Sequence, residues 1–349
     1  MDQMKAYVFG AGASMTAGYP LASKMLYGLS DWLDAQDASV PWVFWARNRI
    51  VQVRETFGSL DDFEGILGKL EKFGFERVKP TGPVTYRQDH KDIFHDCTKQ
   101  MQGENCDPAI TEGFYPQYLR SDLIGAYREF FYVTEERRVG TNAYDNLAAH
   151  RLAPDSTIIT LNYDVALERA LKNAGKWDIG DGYGFTAFPN RDPSPTKVYK
   201  LHGSVNWFQT PLQNEPPPLM FSRDLTILGY DNLRDSRLGG GSVGINNSGT
   251  FILPDPEKQF YWERFWVPLW TGAAEKLREV DELFIHGYSM PAADGRAREL
   301  LFENINKAAA VNVHARSTSD RIANEFRSRG FKNVTAFPGV GFEEWASRP

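Results

Sequence analysis

Short apolar runs rich in β-branched and aromatic residues recur along the chain, and each gives way to small or polar residues. Ala6 to Phe9 runs into Gly10-Ala11-Gly12-Ala13-Ser14, with helical composition resuming near Leu21. The order predicted is strand, glycine turn, helix. Ser156 to Leu161 reads as a buried strand, followed by Asn162-Tyr163-Asp164 and a helix from Val165 to Asn173 that Gly175 stops. Lys197 to Leu201 predicts a strand ending at His202-Gly203-Ser204, and Glu282 to Ile285 one ending at His286-Gly287-Tyr288-Ser289. Helices are predicted over Trp270 to Val280, Arg296 to Ala309 and Ser319 to Arg329, with a further strand at Val311 to His314.

From Ser30 to His150 helical patterning dominates, as in Leu60 to Leu70 and Ser121 to Arg138, where apolar residues recur at three- and four-residue spacing. Lys79 to Asp107 is a weakly patterned polar connection, Gln209 to Pro218 a proline-rich loop, and Gly239 to Gly249 a glycine-rich one. Strands alternating with helices, each strand ending in a small-residue turn, predict an α/β fold: a Rossmann-like parallel sheet with helices on both faces. On this reading 1–29 and 151–349 form the sheet domain, and 30–150 is a mainly helical insertion packed on it. Ligands of such sheets bind at the carboxyl ends of the strands.

The chain has 349 residues, 42% of them hydrophobic, enough for a sizeable core, and a net charge of -6 that makes the surface as a whole a poor trap for phosphate backbones. Direct nucleic-acid binding is therefore not expected. No run approaches the roughly 18 apolar residues of a bilayer helix, and the glycines at 10, 12 and 18 interrupt any resemblance to a secretory signal. A cytoplasmic protein is expected. Two cysteines, Cys97 and Cys106, without paired ligands at finger spacing, predict neither a zinc module nor a disulfide framework.

Candidate chemistry sits at the strand ends. The Gly10 to Ser14 turn can bring backbone amides against a pyrophosphate, with the next helix presenting its N-terminus to the anion; a tight turn without ligand is the plainer alternative. Met15 stands where the dinucleotide fingerprint asks for a third glycine, which counts against an ordinary dehydrogenase. Asn162 and Asp164 flank Tyr163 so that alternation can aim both side chains into one crevice, although Asp164 also stands where an N-cap would. His202, in a turn before Gly203, is either structural or a general base.

Taken in order, Gly10-Ala11-Gly12-Ala13-Ser14, Ala17-Gly18-Tyr19-Pro20, Thr160-Leu161-Asn162-Tyr163-Asp164, Leu201-His202-Gly203 and Gly287-Tyr288-Ser289-Met290 resemble the NAD-binding pattern of the sirtuin superfamily. The resemblance is to its divergent bacterial sirtuin-like branch, whose members are often NAD-hydrolysing effectors of anti-phage defence and abortive infection. It covers most of Ala6 to Ser23 and Ser156 to Asp294. Leu21-Ala22-Ser23 replaces the Asp-Phe-Arg that sirtuin deacylases carry after Gly-x-Pro, and the four-cysteine zinc module is missing, so protein deacylation is not implied.

The resemblance implies that NAD is the substrate and that no metal takes part. Gly10, Ala11, Gly12 and Ser14 would cradle the pyrophosphate, Ala13 to Tyr19, Gly18 among them, would close over the nicotinamide, and Pro20 would join the NAD-binding residues. Asn162 would order the ribose and a water, Asp164 would hold the nicotinamide carboxamide, His202 would contact the same ribose as base or orienting group, and Gly287 and Ser289 would meet the adenosine side. The activity implied is NAD glycohydrolysis to ADP-ribose and nicotinamide, with ADP-ribosyl transfer or a non-catalytic NAD or ADP-ribose sensor as alternatives. A homo-oligomer and an ATPase- or helicase-type defence partner are the assemblies such effectors imply. The aromatic run Phe260 to Trp266 is read as core, with an oligomer or partner interface as the alternative.

Overall fold

The computed structural model describes residues 3–37, 39, 41–61, 63, 65–66, 123, 125–153, 155–179, 182–184, 194, 196–209, 225–227, 249–251 and 266–348. Cys97, Cys106, the connection 79–107, and most of the proline-rich, glycine-rich and aromatic stretches between 210 and 265 lie outside them.

Six parallel strands form one sheet: β1 (Lys5–Phe9), β2 (Thr157–Thr160), β3 (Lys197–Lys200), β7 (Glu282–His286), β8 (Ala310–His314) and β9 (Asn333–Ala336), in the order β3-β2-β1-β7-β8-β9. Strand order reverses at β1, the switch point where doubly wound sheets open a crevice. A smaller antiparallel sheet, absent from the sequence reading, joins β4 (Gly203–Gln209) to β5 (Leu225–Ile227) and β6 (Gly249–Phe251). Because β4 starts directly after His202, it carries the end of β3 away from the main sheet.

Alternation explains why the central strands are apolar throughout. Ala6 and Val8 point to one face of β1 and Tyr7 and Phe9 to the other, and all four are buried, so layers cover both faces. On the aromatic face Tyr7 stacks on Phe284 at 5.2 Å, and Phe9 meets Tyr144 at 5.4 Å and Phe342 at 5.1 Å. Each such side chain contributes roughly 1.5–3 kcal/mol by leaving water.

The helices are α1 (Ala11–Ser14), α2 (Met25–Asp34), α3 (Pro41–Phe57), α4 (125–136), α5 (Ala143–Asn146), α6 (Ala166–Asn173), α7 (Trp266–Arg278), α8 (Gly295–Asn304), α9 (Ser319–Ser328) and α10 (Phe342–Ala346). Helical structure thus begins at Ala11 rather than near Leu21: the glycine stretch is itself the first helical turn. α7 packs on β2 and β3, and α9 on β8 and β9. α5 is fixed by a capping box in which Asn142 accepts from the Tyr144 and Asp145 amides, and Asp145 accepts from the Asn142 amide.

Candidate active site

A cleft of about 330 Å³ opens where the turns after β1, β2, β3 and β7 converge. Its floor comes from two glycine turns locked together. The Gly10 amide donates to the His286 carbonyl at 3.1 Å and the Gly12 amide to the Gly287 carbonyl at 2.9 Å. A Cβ at Gly287, whose φ is 59°, would lie 2.2 Å from the Ala13 nitrogen, and one at Gly10 would lie 2.5 Å from Tyr288 Cα. These positions need glycine because one turn packs against the other. The Gly10 and Gly12 amides are thus both engaged between the two turns.

Asn162 follows β2 and is held from three sides. Its Nδ2 donates to the Gly10 carbonyl at 3.0 Å, Ser14 Oγ at 2.9 Å and Tyr144 Oη at 3.3 Å. The carbonyl partner fixes which way the amide is turned, so Oδ1 is the acceptor offered for other use. Ser14 Oγ also bonds Tyr144 Oη at 3.0 Å. A hydroxyl has one proton and two lone pairs, so Ser14 accepts from Asn162 and still shares a bond with Tyr144. The Ser14 side chain thus joins Asn162 and Tyr144 where they meet at the cleft.

Asp164 lines the cleft, and its Oδ1 accepts from the Ala166 amide at 3.1 Å. The N-cap of α6 is Val165, so Asp164 stands one residue before the cap position read for it. Burial pushes its carboxyl up to about 6; the Lys200 ammonium and the Ser14 hydroxyl hold it down, while Glu168 raises it further. Lys200, at the end of β3, is itself buried, pairs with Glu168 at 2.8 Å and donates to the Asp164 carbonyl.

His202 lies in the cleft with Nε2 at 3.2 Å from Asp294 Oδ1, and both side chains are buried. Tyr288 donates to Asp294 Oδ2 at 3.0 Å. Sequence reasoning missed Asp294 because an aspartate before a helix reads as an N-cap. It does occupy that position for α8, yet it makes no side-chain cap bond.

The cleft lining includes Gly10, Ala11, Gly12, Ser14, Pro20, Asn162, Asp164, His202, Gly287 and Ser289 from the sequence reading. Gly18 does not join them: with φ at 91° it closes the short 3₁₀ turn Met15–Ala17, its amide bonded to the Met15 carbonyl. Tyr19, from the segment expected to close over the nicotinamide, lines the cleft, and so does Phe131, which was not foreseen. Tyr19 donates to Glu135 Oε2 at 2.9 Å, and Glu135 pairs with Arg138 at 3.2 Å and Arg169 at 2.8 Å. Helix α4 thereby ties the Tyr19 segment to α6. Among the described residues no group of three or more His, Cys, Asp or Glu is placed to hold a metal ion, and no helix is long and apolar enough to cross a membrane.

No curated protein matches the chain significantly. Among solved structures, one described by the structural basis for the mechanism and regulation of Sir2 enzymes aligns over 99% of this chain and 91% of its own, at 12% identity and a TM-score of 0.42. A Sir2 homologue–NAD complex aligns over 94% and 90%, at 11% identity and a TM-score of 0.39. A Sir2 homologue complex with ADP-ribose aligns over 94% and 92%, at 12% identity and a TM-score of 0.37. Residues 156–315, the span that supplies Asn162, Asp164, His202, Gly287, Ser289 and Asp294 to the cleft, match the model of the SIR2-like domain family.

Proposed function

We propose that the cleft binds NAD and hydrolyses its nicotinamide N-glycosidic bond, giving ADP-ribose and nicotinamide. The observation that carries this reading is the convergence of Asn162, Asp164 and His202, from two different strand ends, on one cleft floored by the Gly10 and Gly287 turns. The family match over 156–315 supports it.

The chemistry fits these groups. The nicotinamide of NAD is already cationic, so the C1′–N bond breaks with its electron pair passing to the ring nitrogen, and no acid is needed. The site has to orient the ribose and favour an oxocarbenium-like centre. Asn162 Oδ1 accepts from a ribose hydroxyl or the attacking water. The Asp164 carboxylate accepts the carboxamide N–H. His202 takes the proton that water loses as its oxygen bonds C1′, then releases it to solvent. Tyr19 and Phe131 limit entry of bulk water.

An enzyme of this kind drains the cell's own cofactor. The reading therefore includes control by homo-oligomerisation or by an ATPase- or helicase-type partner, the anti-phage defence setting its resemblance implies, with 30–150 as the helical insertion and the cytoplasm as the place of action. The test is chromatographic detection of nicotinamide from NAD, with full-length protein alone and in its oligomeric fractions, beside calorimetric NAD binding. Asn162→Ala should abolish release from a protein that still folds cooperatively. Undiminished release from that variant would remove Asn162 from the mechanism, NAD binding without products in every assembly would favour the sensor, and label transferred to a macromolecule would favour the transferase.

A further inference from the structure

We propose that Asp294 is a positioning residue that fixes the tautomer and orientation of His202 and stabilises the imidazolium formed during turnover. The inference deepens the hydrolase reading and, in its activity arm, rests on it.

Three observations carry it. The Asp294 carboxylate is buried, and its oxygens are divided between His202 Nε2 at 3.2 Å and the Tyr288 hydroxyl at 3.0 Å. It stands at the N-cap of α8 without giving that helix a side-chain bond, so capping does not account for it. The partners also come from separate parts of the fold: His202 follows β3, whereas Tyr288 and Asp294 follow β7, with β2 and β1 between those strands in the sheet. Local chain geometry does not bring such groups together; the folded cleft does.

The consequence for His202 follows from imidazole chemistry. A neutral ring that donates Nε2–H to a carboxylate keeps its lone pair on Nδ1. Nδ1 is then the nitrogen that accepts a proton from water, and the ring becomes imidazolium beside an anion already in place. Tyr288 holds the second carboxylate oxygen, which keeps the first one facing the ring. This is the base-plus-orienter arrangement of acyl-transfer triads, here without a protein nucleophile. The other titratable groups lining the same cleft are Asp164, Tyr19, Tyr163 and Tyr288; Asp294→Asn leaves all of them in place.

The experiment compares full-length wild type, Asp294→Asn and Tyr288→Phe by three readouts. Imidazole ¹⁵N spectra follow the tautomer and titration of His202, its signals assigned by their loss in His202→Gln. Calorimetry gives NAD affinity, and product analysis gives turnover. Asp294→Asn should lose the Nε2–H preference and shift His202 titration to lower pH. It should reduce kcat about 100-fold or more while NAD affinity stays within a few-fold. Tyr288→Phe, which leaves the carboxylate in place, should move each quantity in the same direction by less. An unaltered His202 tautomer and titration in Asp294→Asn would overturn the assignment. Faster turnover or tighter NAD binding in that variant would also overturn it, and would make the pair a latch that substrate has to open. If wild type releases no nicotinamide in any assembly, the hydrolase reading fails while the ¹⁵N comparison still decides the role of Asp294.

Discussion

Replacing Asp164 by Asn should make the protein more stable and less able to hold NAD. The carboxyl sits at about 6, roughly two units above the 3.8 of an unperturbed aspartate, chiefly because it is buried. At about 1.4 kcal/mol per unit, keeping it ionised at neutral pH costs the fold about 3 kcal/mol. The folded form binds this proton more tightly than the unfolded chain. Between about pH 4 and 6 it therefore carries the greater proton load, and this contribution to stability falls as pH rises. Asparagine removes the charge while its Oδ1 can still accept the Ala166 amide. Urea unfolding should thus show Asp164→Asn ahead by about 3 kcal/mol at pH 7, by about half that at pH 5, and by about 0.5 kcal/mol at pH 4. The comparison cancels every other titrating group common to both proteins. A gap that stays constant with pH, or a variant weaker than wild type at pH 7, would refute the assignment of this cost to Asp164. NAD binding measured on the same samples should weaken, because an amide presents an N–H donor as well as an acceptor to the carboxamide.

His202→Ala should lower turnover by about 100-fold or more with NAD affinity within a few-fold; parallel loss of melting temperature, affinity and rate would instead mark a structural turn histidine. Gly287→Ala should destabilise by about 2 kcal/mol or more, read as a fall in melting temperature, because its φ is 59° and its Cβ would meet the Ala13 nitrogen at 2.2 Å; a wild-type melting curve would show that the two turns are not locked. Burial holds His314 down to about 4 and His286 well below the ordinary histidine range. The unfolded chain therefore takes up protons there first, and stability is lost as pH falls from about 6.5 toward 4. His314→Phe should flatten that loss in melting curves between pH 7 and 5, and an identical slope would remove His314 as a cause.

The strands at the centre of the sheet were legible because both their faces are buried, so they read as continuous apolar runs and end abruptly at the residues that line the cleft. Asn162, Asp164 and His202 were found in this way. β9 was not, since Asn333–Ala336 is an edge strand of alternating exposure without an apolar run. The helical turn at Ala11–Ser14 was hidden by a composition that favours turns. Gly10 and Gly12 stand out in the sequence, but their fit against Gly287 is a contact between distant turns that no local pattern encodes. Asp294 and Glu135 were missed for a related reason: their partners, His202 and Tyr19, lie far away in sequence, and an acidic residue beside a helix has more ordinary uses.

The central position of β1 also governs when the cleft can exist during synthesis. Ala6 pairs with Thr157 on one side and with Leu283 on the other, so this strand leaves the ribosome long before either neighbour and stays unpaired until most of the chain has followed. Contacts of such long range form slowly, and an apolar strand waiting for them is exposed to aggregation. Release of β7 supplies at one moment the second partner of β1, the turn that locks Gly10 and Gly12, and the stretch leading to Asp294. A nascent chain or a fragment ending before Glu282 therefore holds Asn162 and His202 without a floor beneath them, and the cell meets the assembled site only on chains that have been made almost to the end of this sequence.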